Sequence, residues 1–189
     1  METREEKLAR VLTEPIEVVD YDPSWPSRFE EECRHLRDCL PPELVGRIDH
    51  FGSTAVPGLA AKPVIDMLVE VRSLDEARER IVPILEAQGY DYFWRPTRGD
   101  DTPPWYAWFI RRDGAGKRTH HIHMVEPGSE HWDRLLFRDL LIDVLELARE
   151  YAELKRALCL ATKDRVAYTR AKEGFIERVT GEALRSRGK

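Results

Sequence analysis

Gly52-Ser53-Thr54 and, shortly after, Lys62-Pro63-Val64-Ile65-Asp66 bring together groups that bind phosphate and metal. Glycine lets the backbone approach a ligand closely, and Ser53 and Thr54 add hydroxyls to backbone N–H groups. Asp66 precedes the apolar run Met67-Leu68-Val69, which places a carboxylate, a hard oxygen ligand for a divalent cation, at the edge of a strand. Lys62 is held extended by the proline that follows it, so its ammonium can meet phosphate or Asp66. A second group, His121-Ile122-His123, has the two-residue period of a strand, so both imidazoles share one face. Such a pair can bind a metal through neutral nitrogen, donate to phosphate, or act as general acid and base. Taken alone these signals are weak. A lone aspartate before an apolar run is often a strand cap, and His120 also fits a polar surface strand.

The elements that must position these groups follow from periodicity. Ile16-Glu17-Val18-Val19 alternates as a short strand, and residues 1–14 are charged and read as a frayed or loosely helical tail before a single domain at 15–189. Phe29, Cys33, Leu36 and Leu40 recur at helical spacing from a start near Pro26 until Pro41-Pro42 stops them. Strands are expected at about 47–51 and 63–71. Ser73-Leu74-Asp75-Glu76 then reads as a capping box opening a helix that ends at Gly89. Three strand-like segments follow, 90–94, 106–112 and 118–126, the last two joined by the hairpin signal Asp113-Gly114-Ala115-Gly116. The polar loop from Arg95 to Pro104, with Asp100-Asp101 at its centre, is long enough to be functional. The remainder is helical: one helix over 132–146 with Ser129 as N-cap, another over 147–161, and a last one over 168–184 weakened by Gly174.

Composition narrows the function classes. With 189 residues the chain can bury a core without staples, and 30 basic against 35 acidic residues leave a net charge of −5. That balance argues against nonspecific nucleic-acid binding, which needs a basic surface, but leaves a local phosphate site open. No apolar run approaches the ~20 residues that span a bilayer. The charged N-terminus lacks a signal-peptide core and three unspaced cysteines show no disulfide or zinc pattern, so a cytoplasmic location is expected.

The Gly-Ser turn with an aspartate on the next strand resembles the nucleotidyltransferase superfamily. More closely, Asp22-Pro23-Ser24-Trp25-Pro26, the stretch from Gly52 through Leu59, Lys62-Pro63-Val64-Ile65-Asp66, His121-Ile122-His123 and Phe137-Arg138-Asp139 together resemble the GrpB family over about residues 16–180. That resemblance implies an α/β fold with a nucleotidyltransferase-like mixed sheet, flanking helices and a C-terminal helical portion. It implies Gly52, Ser53 and Thr54 around a nucleoside triphosphate, and Asp66 on a divalent metal (Mg²⁺ or Mn²⁺), with His121 and His123 completing the shell. Lys62, Arg138 and Lys155 would then supply positive charge to the nucleotide; for Arg138 and Lys155 an ordinary surface salt bridge fits equally well. One departure matters: superfamily enzymes carry a second acid two residues after the first, and Leu68 stands there. Glu70 shares the face of Asp66 but lies about 13 Å along the strand, too far to chelate the same ion. Two functions therefore stay open, a metal-dependent nucleotidyltransferase and a non-catalytic nucleotide-binding or partner domain.

Overall fold

The computed structural model describes residues 2–97 and 102–186; the Asp100-Asp101 pair lies outside them. Helices α1 (Arg4–Thr13) and α2 (Trp25–Cys39) precede strand β1 (Val45–Phe51) and a 3₁₀ turn at Ser53–Ala55. Strand β2 (Ile65–Val71), helices α3 (Leu74–Arg80) and α4 (Val82–Ala87), and strands β3 (Asp91–Pro96), β4 (Trp105–Arg112) and β5 (Arg118–Val125) follow. The chain continues with α5 (Asp133–Asp143), α6 (Leu145–Ala161) and α7 (Arg165–Ser186). The strands form one mixed sheet in the order β1-β2-β5-β4-β3, in which only β2 and β5 run parallel. This is the expected α/β class, with a Gly-Ser turn after one strand, the aspartate on the next, and a C-terminal helical portion.

Strand alternation divides the side chains between two faces. Ile65, Met67 and Val69 of β2 join Phe109, Ile122 and Met124 under Trp25, Leu36, Ile81 and Leu85 of the helices. Each fully buried aliphatic side chain there contributes roughly 1.5–3 kcal/mol. On the other face Leu68 packs with Phe51, Tyr106, Trp108, Ile110 and Val125. A third cluster joins Val56 and Leu59, just after the Gly-Ser turn, to Phe137, Leu141, Tyr151, Phe175 and Val179. The C-terminal helices thus close over the turn because the small-residue loop offers them an apolar seat.

Several elements differ from the sequence expectation for identifiable reasons. The strand expected at 16–19 reduces to a single bridge, Val19 to Ala61. Residues 4–13 are a regular helix, opened by a full capping box between Thr3 and Glu6 and anchored by buried Val11. Arg112 ties the end of that helix to the sheet, reaching Glu14 at 2.6 Å and Asp91 at 2.8 Å. The helix expected from 74 to 89 breaks at Ile81, since Pro83 has no N–H to continue the ladder. Ser73 caps it as expected, accepting from the Glu76 N–H, but the Glu76 carboxylate pairs with Arg72 instead of returning to the cap. The break between α5 and α6 falls at Val144, whose extended φ/ψ ends the first helix. Gly174 is accommodated within α7.

Candidate functional site

Gly52 is required at its position for two separate reasons. Its backbone sits at φ 72° and ψ −173°, a region open essentially to glycine alone. A Cβ there would also lie 2.5 Å from Oδ2 of Asp66. The close approach arises because Phe51 pairs with Asp66 across β1 and β2, so the turn passes directly over the carboxylate.

Asp66 in turn pairs in register with His121 on β5, and Leu68 with His123. Nδ1 of His121 lies 3.1 Å from Oδ1 of Asp66. A carboxylate only accepts, so Nδ1 carries the proton and Nε2 keeps the lone pair. Asp66, His121 and His123 each offer a ligand atom within 4.8 Å of the others. Burial pulls both imidazoles below the ordinary histidine value; for His121 the Asp66 hydrogen bond opposes this, and for His123 the nearby Arg134 adds to it. Both rings therefore stay neutral, the state that binds a metal. His123 is boxed by aromatic rings, stacked on Tyr106 at 5.4 Å and edge-on to Phe51 at 5.2 Å. Leu68 is fully buried beneath them, so the second-acid position is apolar in fact as well as in sequence. Glu70 faces Arg47 at 3.9 Å, away from the cluster.

Cations surround this carboxylate. Lys62 lies 4.2 Å and Lys172 4.6 Å from the centre of the Tyr168 ring. Burial and mutual repulsion bring Lys62 down to about 7, the charge of Asp66 working the other way. Lys172 is lowered by burial and likewise held up by Asp66. Burial raises the Tyr151 hydroxyl of α6 above its ordinary value, and the neighbouring Ser53 hydroxyl slightly opposes this.

Not every expected residue is free to serve a ligand. Thr54 is buried; its hydroxyl donates to the Val64 carbonyl at 3.4 Å and accepts from Nε2 of His50 at 3.0 Å, so it fixes the turn. Arg138 donates to the His50 carbonyl at 2.7 Å and pairs with its neighbour Asp139, docking α5 onto β1. Lys155 is buried, donates to the Ala60 carbonyl and lies 4.6 Å over the Tyr151 ring. Its ammonium is lowered to about 7, first by burial and then by Lys172. The positive charge expected of Arg138 and Lys155 is thus directed at backbone carbonyls, while the half-buried Lys62 and Lys172 are the lysines that feel the charge of Asp66 beside the Tyr168 ring. Lys172 was missed: with Tyr168 it forms an i, i+4 pair on the last helix, and only the tertiary fold brings that face to Asp66.

Comparison with known proteins identifies the family to which the fold belongs. The family described as GrpB protein matches residues 15–182. The UPF0157 protein PA4798 of Pseudomonas aeruginosa is 41% identical over 174 residues, 89% of this chain and 68% of that protein. The UPF0157 protein YqkA of Bacillus subtilis is 37% identical over 90% of this chain, which spans about half (48%) of that relative's length. Among solved structures, the conserved protein GrpB from Enterococcus faecalis superposes with a TM-score of 0.76 at 32% identity, covering 92% of this chain and all of that one. The chain belongs to the GrpB family.

Proposed function

We propose that this chain binds a nucleoside triphosphate beside a divalent cation and transfers a nucleotidyl group from it. The observation that carries the reading is the convergence of Asp66, His121 and His123 under the Gly52-Ser53 turn. The donor set fits a metal on independent grounds: His121 Nε2 and His123 Nδ1 are buried without a hydrogen-bond partner among the described residues. Leaving such atoms unsatisfied costs about 1–3 kcal/mol each, which a bound cation offsets. Two imidazoles with one carboxylate suit Mn²⁺ or Zn²⁺ better than Mg²⁺. When bound, the cation supplies neutralisation of phosphate charge and polarisation of a phosphoryl oxygen.

The chain's own residues do the rest. Gly52 lets phosphate approach the backbone, the Ser53 hydroxyl donates to it, and Lys62 and Lys172 hold its charge. In the transfer an acceptor oxygen bonds to the α-phosphorus, the bond to the β-phosphate oxygen breaks, pyrophosphate leaves and the acceptor's proton passes to water. Leu68 favours a second reading, binding without turnover, because it removes the usual second carboxylate. Thermal midpoints of the full chain with each common nucleoside triphosphate, with and without Mn²⁺ or Mg²⁺, test for binding, since a native-state ligand stabilises by RT ln(1 + [L]/Kd). Stabilisation together with pyrophosphate release supports transfer. Stabilisation without release leaves the binding reading, and no stabilisation by any triphosphate removes both.

A further inference from the structure

Two groups of cations flank Asp66, and the proposed function uses only one. Two exposed arginines stand against the aromatic rings that enclose the histidines. The Arg134 guanidinium, in the first turn of α5, lies 5.7 Å from the Phe51 ring; that of Arg95, at the end of β3, lies 4.9 Å from Trp108. Phe51 is 5.2 Å from His123 and Trp108 is 5.2 Å from His121, so both guanidiniums sit one ring away from the candidate metal ligands.

Among the described residues no carboxylate lies within ion-pair distance of Arg95 or Arg134, whereas Arg111 and Arg112 of β4, Arg118 of β5 and Arg165 of α7 are all paired. Crowding by the surrounding protein lowers the Arg134 guanidinium from its ordinary value; Tyr106, Asp66 and Glu130 act to hold its charge and Arg95 opposes it. In a chain of net charge −5, two guanidiniums with no ion-pair partner among the described residues, beside two neutral imidazoles, form a locally cationic surface. Their planar forks match a tetrahedral or planar oxyanion, and stacking on Trp108 and Phe51 fixes their orientation.

We infer that Arg95 and Arg134 form a second oxyanion subsite, against the Phe51 and Trp108 rings beside His123 and His121, that holds the phosphate of an organic phosphate acceptor. The acceptor is thereby an anion, not a neutral or cationic small molecule. The identity of the first site rests on the triphosphate reading; the subsite rests on the two arginines alone.

Calorimetry separates the two. The full chain is saturated with inorganic tripolyphosphate and then titrated with inorganic phosphate. Wild type is expected to bind phosphate with tripolyphosphate already in place. In R95Q/R134Q phosphate affinity is expected to fall at least tenfold while tripolyphosphate affinity stays within twofold, and R95Q and R134Q singly should each give part of that loss. Both side chains are exposed, and an unchanged thermal midpoint verifies that the variants are folded. Phosphate affinity within twofold of wild type in the double variant overturns the inference. So does an equal loss of both ligands, which describes one continuous site. If tripolyphosphate fails to bind, the triphosphate reading falls, and titration of phosphate into the free wild type and variant still decides the subsite by the same tenfold criterion.

Discussion

Nδ1 of His121 stands 3.1 Å from Oδ1 of Asp66, and the two residues are register partners across the parallel strands β2 and β5. Parallel pairing with a two-residue period is what makes this contact obligatory: any slip by one residue would turn the imidazole to the opposite face. His121→Phe keeps a flat aromatic ring, somewhat larger than imidazole, and removes the hydrogen bond. A bond to a charged group is worth about 1.5–3 kcal/mol, so urea denaturation should show a loss of that order. Titration with Mn²⁺ should show affinity at least tenfold weaker. Unchanged Mn²⁺ affinity would remove His121 from the ligand set.

Gly52→Ala tests the approach of the turn to Asp66. The substitution places a methyl 2.5 Å from Oδ2 in a backbone conformation that alanine rarely adopts. The expected cost is about 1–3 kcal/mol from the backbone alone, with a further loss of metal affinity as the carboxylate is displaced. A variant as stable as wild type, measured by urea midpoint, would show that the turn can move aside freely.

Leu68→Asp introduces the second acid that the nucleotidyltransferase resemblance led one to expect, yet should not create a two-acid metal site. Leu68 is fully buried among Phe51, Tyr106 and Trp108, so an aspartate there loses the packing of a core leucine and desolvates a carboxylate. Loss of packing alone costs about 2–5 kcal/mol. Denaturation curves should show at least that loss. A variant of native stability with enhanced Mg²⁺ binding would mean that the second-acid position is open, not sealed.

Acid should destabilise the free protein. Burial depresses His50 to about 4 and His131 to about 3. Between those values and 6.5 the unfolded chain binds protons that the folded chain refuses, so stability falls as pH drops through that window. For fully buried His131 this amounts to roughly 1–2 kcal/mol by pH 5. Lys62 and Lys155, lowered to about 7 from 10.5, extend the same slope upward, because the unfolded chain holds the extra proton across that interval too. Urea midpoints should rise in the order pH 5, 7, 9. A maximum at pH 5 would contradict the neutral, buried state of these groups.

The parity of the strands was readable from the chain alone. Asp66 at the head of an apolar run and His121 with His123 two apart were enough to place all three on one sheet face, and the structure does so. Positions whose meaning depends on what packs over them were not readable. Thr54 looks like a phosphate ligand until α2 and the loop bury it against His50 and Val64. Arg138 looks like free charge until α5 lands on β1 and its guanidinium finds the His50 carbonyl. Lys172, Arg95 and Arg134 have no local pattern at all, since each is an ordinary charged residue that only tertiary contact carries to Asp66. The α1 helix was legible in principle: Thr3-x-x-Glu6 is a capping-box spacing, and Val11 is the apolar residue that anchors the helix.

Asp66→Asn tests the centre of the proposal most directly, because it keeps the shape of the side chain and removes the charge on which cation and histidine converge. The measurement is the thermal midpoint of wild type and variant with ATP, with Mn²⁺, and with both. Wild type should be stabilised by ATP together with Mn²⁺ by more than the sum of the separate effects, and the variant should show no such gain while remaining folded. A variant that gains as much from ATP with Mn²⁺ as wild type does would contradict a metal–nucleotide site built on Asp66.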